Sequence, residues 1–114
     1  AYLKHHWAVR PKMELLQSEY FKRQGIATFQ EDAAGLDLAI SHDLVSNFMW
    51  ANDYPHHEGS WPHSAEAIER TMGELDDESR AKILGLNAAE VFNIPIPDRY
   101  LDHKDAKASA SRIT

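Results

Sequence analysis

The residues Phe48–His63, FMWANDYPHHEGSWPH, decide the fold of this chain because an apolar run and a polar loop follow each other directly. A short, continuous apolar run is typical of a strand that is covered on both faces, as in a parallel sheet. The run ends at Asp53, and Pro55 keeps Tyr54 out of the helical region. Parallel α/β folds place their active sites at the carboxyl ends of their strands, so Asp53 is the first candidate functional residue.

Side chains alternate between the two faces of a strand. If Asp53 faces a barrel or a cleft, Met49 and Ala51 share that face, whereas Phe48 and Trp50 face covering helices. Trp50 is therefore predicted to lie in the core.

The residues before this stretch predict a second strand and a connecting helix. A helix is expected over 12–24 and a short strand over 25–30. Asp32 is a candidate N-cap for a helix that ends at about His42, and the strand at 47–52 follows. The order strand, helix, strand with short connections predicts a βαβ unit with a parallel pair.

Three further helices are expected after the loop. Ser64 is expected to cap the first, Asp76 or Asp77 to start the second, and Asn87 to start the third in a pattern that resembles a capping box. The last helix is short and is expected to bury Val91 and Phe92. Residues 1–97 are then one domain and residues 98–114 a C-terminal tail, because prolines end regular structure before residue 98.

Composition limits the classes of function. The chain has 114 residues, of which 43% are hydrophobic, which fits one globular domain. A net charge of −6 without a basic stripe argues against nucleic acid as a partner. The absence of cysteine excludes a disulfide scaffold and a thiolate zinc site. No run approaches the ~20 apolar residues of a membrane span, and no signal peptide is evident, which predicts a cytoplasmic protein without membrane contact.

Two strands are too few for a stable sheet that is covered on both faces, since roughly three or more are needed. The missing strands are expected to come from the remainder of a larger fold, or from another chain, including a homo-oligomer.

A set of motifs resembles the C-terminal end of the amidohydrolase-2 group of metal-dependent hydrolases, which includes aminocarboxymuconate-semialdehyde decarboxylase. The resemblance extends over residues 18–94, and its motifs are NDYPH at 52–56, Glu58, Trp61-Pro62, KIL at 82–84 and NAAEVF at 87–92, with SEYFKR at 18–23 and Thr28-Phe29 upstream.

The resemblance implies an α/β fold, a TIM (β/α)₈ barrel of which this chain carries the last two βα units. It implies that Asp53 is a metal ligand or the group that transfers a proton beside a metal-bound water. The cofactor would be a divalent metal, with zinc first and manganese or iron as alternatives.

Three other residues are candidates for substrate binding. His56 is expected to contact the substrate or to orient a metal ligand. Tyr54 and Trp61 either line a substrate pocket or pack the loop against the barrel rim.

A separate zinc site is a further possibility, because the loop contains His56, His57, Glu58 and His63. Adjacent histidines project in different directions, which argues against both of them binding one metal ion.

The hypothesis that follows is a part of a hydrolase acting on a small carboxylated or cyclic substrate. The alternatives are a metal-dependent decarboxylase, and a non-catalytic fragment or subunit that completes a barrel with another chain.

Overall fold

A two-stranded parallel sheet and the helix that joins its strands form the centre of the fold. A computed structural model of the chain describes residues 13–100. In chain order its elements are α1 (Gln17–Gln24), β1 (Ala27–Phe29), α2 (Ala33–Ser41), a 3₁₀ turn (Val45–Asn47), β2 (Phe48–Trp50), α3 (Ser64–Met72), α4 (Asp77–Ala81), a π-helical turn (Lys82–Leu86), α5 (Asn87–Val91) and a second 3₁₀ turn (Asp98–Tyr100).

The predicted βαβ unit and its α/β class are confirmed. β1 and β2 pair in parallel, with Ala27 opposite Phe48 and Phe29 opposite Trp50. Both strands are shorter than predicted. Ala51 N still donates to Phe29 O of β1, but the carbonyl of Asn52 accepts a hydrogen bond from Ser60 N at 3.0 Å, so from Asn52 onward the backbone serves a loop.

The start of α2 follows the prediction. Asp32 is the N-cap, and its Oδ1 accepts a hydrogen bond from Gly35 N at 2.8 Å. A Cβ on Gly35 would lie 2.3 Å from Asp32 Oδ2, so a larger residue there would require the carboxylate to rotate. Leu36 and Ala39 of α2 are buried and fix the helix against the sheet.

The core lies where three helical segments meet one face of the sheet. Leu36 of α2, Met72 of α3 and Ile83 of the π-helical turn form a buried cluster, and Phe29 and Trp50 pack against it from the strands. The prediction that Trp50 is a core residue is therefore confirmed. Met72 and Ile83 are fully buried, and burial of such side chains stabilises a fold by roughly 1.5–3 kcal/mol each.

The last helical segments differ from the prediction. Asn87 does not begin a separate helix, because the backbone of Leu86 and Asn87 is already helical and continues the π-helical turn into α5. The Asn87 amide instead donates to Val45 O and Phe48 O, each at 2.8 Å. A residue that resembles a helix cap in sequence thus contacts the backbone at the start of β2.

Two other expectations are also wrong. Val91 and Phe92 were expected to be buried but are 43% and 64% exposed. The buried side chains of this segment are Ile83 and Asn87, which come earlier in the chain. Ser64 is the first helical residue of α3 and not its cap, since His63 is the N-cap and makes no side-chain capping bond. The Ser64 hydroxyl lies 3.2 Å from that of Ser60. As predicted, Asp76 caps α4 by accepting a hydrogen bond from Ser79 N.

Within residues 13–100, no helix has the length and apolar character that crossing a bilayer requires. The predicted helix over 12–24 is observed from Gln17, and its expected first residue lies outside the described residues, as does most of the predicted tail 98–114.

Candidate functional site

The loop that follows β2 closes on itself through hydrogen bonds. Ser60 N donates to Asn52 O at 3.0 Å, and Tyr54 N donates to the Asn52 side-chain oxygen at 3.1 Å. His56 N donates to Asp53 O at 2.8 Å, which makes a tight turn at the carboxyl end of the strand. The segment 52–60, called the site loop below, is therefore ordered by local contacts that begin and end at Asn52 and Ser60.

Gly59 allows the site loop to fold this tightly. A Cβ at this position would lie 2.8 Å from Asn52 O, 3.0 Å from Asp53 O and 3.0 Å from His56 O. These three atoms belong to the backbone and cannot swing aside as a flexible side chain could. The loop therefore requires glycine here because its backbone passes so close to the residues that carry the candidate site.

Asp53 lies just beyond the carboxyl end of β2, as predicted, but its backbone is not extended. Its φ is 57°, in the left-handed region that aspartate tolerates better than most residues. Strand alternation therefore ends before Asp53, and the expectation that it shares a face with Met49 and Ala51 by simple alternation is wrong. Its side chain is 60% exposed, so the carboxylate projects from the sheet edge into open space.

His56 lies beside this carboxylate. Its Nδ1 is 3.6 Å from Asp53 Oδ2 and 3.4 Å from Glu58 N, which points toward it. Nδ1 accepts from Glu58 N–H when it carries no proton, whereas the Asp53 oxygen lies beyond hydrogen-bond distance from it. His57 lies outside this pair, and its ring packs against the His56 ring with centroids 4.5 Å apart.

Tyr54 and Trp61 form an aromatic pair next to Asp53. Their ring centroids are 5.3 Å apart at an interplanar angle of 71°, which is an edge-to-face contact. Both side chains remain more than 60% exposed, so each contacts the other while presenting apolar surface to the space above the sheet edge. A role in substrate binding stays a prediction for both residues.

The described residues do not complete a metal site. Between residues 13 and 100, no group of three or more histidine and carboxylate side chains is placed to hold a metal ion. The separate zinc site that the loop histidines suggested is thus not formed there, and His63 instead pairs with Glu66 of α3 at 3.9 Å. Asp53 can offer one carboxylate to a metal ion, and further ligands would have to come from other parts of a complete site.

A residue that sequence reasoning missed lies at the end of the neighbouring strand. Gln30 directly follows β1, and its side-chain nitrogen donates to Glu58 O of the site loop at 2.6 Å. The signal in the sequence was the polar residue at the end of an apolar strand, since the carboxyl ends of parallel strands meet at one edge. The next residue, Glu31, accepts two hydrogen bonds from Arg70 of α3, both at 3.0 Å.

The clearest electrostatic perturbations lie away from the site loop. A hydrogen bond and ion pair with Lys22 at 2.5 Å lowers the pKa of Asp43, which precedes β2. A hydrogen bond from Arg80 lowers the pKa of Glu69 in the same way and raises the pKa of Arg80. These exposed pairs join neighbouring elements and involve no residue of the site loop.

Comparison with known families assigns the chain to one of them. A sequence model of the family described as amidohydrolase matches residues 1–94, which is most of the chain. No curated protein matches the sequence. Because the family match covers the βαβ unit, the site loop and the helices that pack on them, this chain belongs to the amidohydrolase family.

Proposed function

We propose that this chain is the C-terminal part of a metal-dependent hydrolase barrel and carries the last two βα units of a (β/α)₈ fold. The observation that carries the proposal is the position of Asp53. Its carboxylate projects from the carboxyl end of a parallel strand, 60% exposed and ready for a ligand. In barrels of parallel strands that edge holds the active site.

Members of the amidohydrolase family generally use divalent metals. A bound divalent metal supplies a Lewis acid and lowers the pKa of a coordinated water toward ~7. Asp53 contributes one carboxylate to that centre, as a ligand or as the acceptor of a proton. His56, 3.6 Å from it, orients the carboxylate or contacts the substrate. Carboxylate and imidazole donors suit zinc first, with manganese or iron as alternatives.

The substrate class in this proposal is a small carboxylated or cyclic molecule. The pair of Tyr54 in the site loop and Trp61 directly after it offers exposed apolar surface, and such surface contacts the apolar part of a small ligand. The reaction is hydrolysis in the first instance. Analysis of the products distinguishes hydrolysis from the decarboxylase alternative. A decarboxylase releases carbon dioxide, whereas a hydrolase adds the atoms of water to its products.

The same proposal requires further strands. The described sheet has two strands in the order β1-β2, so each has one edge without a strand partner between residues 13 and 100. Completion comes from the remainder of the barrel or from a partner chain, including a second copy of this chain. Light scattering after size exclusion distinguishes the two, because a second copy doubles the mass of 13.0 kDa.

The direct test replaces Asp53 with asparagine in the complete, active enzyme. Asparagine tolerates the same left-handed backbone, so the loop keeps its shape while the negative charge is lost. We expect turnover to fall by about 10²–10⁴-fold, as for the loss of a group that transfers a proton or holds the reacting water. Bound metal, measured by elemental analysis, should fall as well if Asp53 is a ligand.

The matched control is Asp43→Asn. Asp43 also has a left-handed backbone, with φ 56°, and an exposed side chain. It precedes β2, however, and so belongs to the amino end of that strand, opposite to Asp53. Asp43→Asn should leave turnover unchanged within about two-fold. Full activity in Asp53→Asn, or an equal loss in both variants, would end the assignment of Asp53.

A further inference from the structure

The hydrogen bond between Gln30 and Glu58 joins two segments that are 28 residues apart in sequence. Its length of 2.6 Å is short for an amide donor, and the acceptor is a backbone carbonyl in the site loop. The Gln30 backbone is also held, because Trp50 Nε1 donates to Gln30 O at 3.0 Å. Gln30 is therefore fixed to β2 by its main chain and reaches the loop with its side chain.

Glu58 connects this contact to the candidate site. Its carbonyl receives the Gln30 amide, and its N–H faces His56 Nδ1 at 3.4 Å. His56 in turn lies 3.6 Å from the Asp53 carboxylate. These contacts therefore connect Gln30, at the end of β1, to Glu58, and Glu58 to the two side chains of the proposed site.

The oxygen of the Gln30 side-chain amide makes no such contact. Gln30 Oε1 is buried and has no hydrogen-bond partner, and no other side-chain polar atom between residues 13 and 100 is in that situation. A buried acceptor without a partner destabilises a folded chain. The bond from Nε2 to Glu58 O is therefore the contact through which the Gln30 side chain acts on the loop.

We propose that Gln30 is a positioning residue that holds the site loop at Glu58 and thereby sets where His56 and Asp53 lie at the strand end. This inference rests on the proposed function of Asp53, since positioning matters only if the loop carries a site. Displacement of reacting groups by about 1 Å can slow an enzyme by about 10²-fold, which is why a contact outside the site can matter.

The test compares Gln30→Met with the native sequence, both in the complete enzyme used for Asp53→Asn, by amide hydrogen exchange followed by NMR. Methionine keeps the length of the side chain and removes both the donor and the unpaired acceptor. We expect exchange at Gly59 and Ser60, whose N–H groups close the loop, to become roughly three- to ten-fold faster. Exchange at Ala51, whose N–H donates to Phe29 O in the sheet, should not change.

A spectroscopic readout accompanies the exchange measurement. The Nδ1 chemical shift of His56 should move in Gln30→Met, because the Glu58 N–H is no longer held toward that atom. The corresponding shift of His63, which lies beside Glu66 and outside the loop, should stay constant. The matched control variant is Gln24→Met, an exposed glutamine at the end of α1 that should alter none of these signals.

Three results would overturn the inference: unchanged exchange at Gly59 and Ser60, equally faster exchange at Ala51, or a Gln30→Met chain that does not fold. The last two would show that Gln30 serves the fold as a whole. None of these measurements needs turnover. They therefore stay informative even if Asp53→Asn retains activity and the proposed function fails.

Discussion

β2 is only three residues long, yet the polar residues at its two ends differ in burial and in hydrogen bonding. At the amino end, the buried amides of Asn47 and Asn87 are each satisfied by backbone carbonyls. At the carboxyl end, Asp53, Tyr54 and Trp61 are all at least 60% exposed, and they face open space above the sheet edge.

Asn47 shows how the amino end is built. Its side-chain nitrogen lies 3.1, 2.9 and 2.8 Å from the carbonyl oxygens of Phe21, Lys22 and Gly25. These carbonyls belong to the last turn of α1 and the residue that follows it, where a helix leaves acceptors without intrahelical partners. One buried amide thus satisfies the end of α1 and attaches that helix to the start of β2.

The difference shows that stability and the proposed chemistry are separated along one strand. The amino end contains two buried asparagine amides that are paired, and the carboxyl end contains an exposed carboxylate, that of Asp53. This is the division found in barrels of parallel strands, where the amino-terminal face contributes stability and the carboxyl-terminal face carries the site.

The largest effect on stability is expected from the amino end. Asn47→Leu or Asn87→Leu removes a buried amide that donates to two or more backbone carbonyls, so each should lower the free energy of unfolding by about 2–4 kcal/mol. Urea unfolding followed by circular dichroism measures the loss, with the exposed Gln24→Leu as a control. A change below that of the control would mean that the amino end does not stabilise the fold as described.

The second effect concerns the loop at the carboxyl end. Gly59→Ala places a methyl group against three backbone oxygens and should lower the free energy of unfolding by about 1–3 kcal/mol, through strain in the loop. Gly85→Ala is the matched control. Nothing lies within 4 Å of a Cβ there, and the residue is helical, so alanine should be neutral or stabilise by up to about 1 kcal/mol. Equal effects of the two substitutions would contradict the tight loop.

The Asp53 carboxylate at the carboxyl end should contribute little to stability. Asp53→Asn should change the free energy of unfolding by no more than about 0.5 kcal/mol, because the carboxylate is exposed and its nearest partner, His56, is 3.6 Å away. The same urea titration measures this change. A large loss of stability would make Asp53 a structural residue and would weaken the contrast between the two ends.

The smallest effect is the response to acid. Lys22 lowers the pKa of Asp43 below its ordinary value of 3.8, and Arg80 lowers the pKa of Glu69 below 4.5. A carboxyl group whose pKa is lowered by folding stabilises the fold fully above the ordinary pKa and loses that contribution as the pH falls through the lowered one. Stability should therefore decline below about pH 4.5, and more weakly in salt, since both pairs are exposed.

Lys22→Met tests which end of β2 takes part in this response. The variant removes the partner of Asp43 at the amino end, so the decline in stability with acid should become shallower than in the native chain. Thermal unfolding between pH 3 and pH 7 measures the difference. An identical pH dependence in the variant would mean that this pair makes no contribution.

Much of the centre of the fold could be predicted because its signals are local. The apolar run before Asp53, the cap at Asp32 and the spacing of the strands each depend on a few neighbouring residues, and together they predicted the parallel βαβ unit. The position of Asp53 beyond the end of β2 was predicted for the same reason. The direction of its carboxylate was not, because the left-handed backbone at this residue ends the alternation of the strand.

Contacts across long separations could not be predicted in this way. Asn87 has the sequence neighbours of a helix cap, yet its amide binds backbone carbonyls 39 and 42 residues away. Val91 and Phe92 fit the pattern of a buried helix but lie beyond the residues that pack on β2. Gln30 and Glu58 share no local pattern, and only the parallel pairing of the strands brings them together.

The sequence by itself determined the class of fold, the order of its central elements and the residue that ends the second strand, because side-chain size, capping groups and proline act on their immediate neighbours. Only the tertiary structure decided which amides are buried against which carbonyls, and which end of β2 is left open. Those outcomes depend on how the helices pack on the sheet, since a buried polar group must find its partner wherever the folded chain places one.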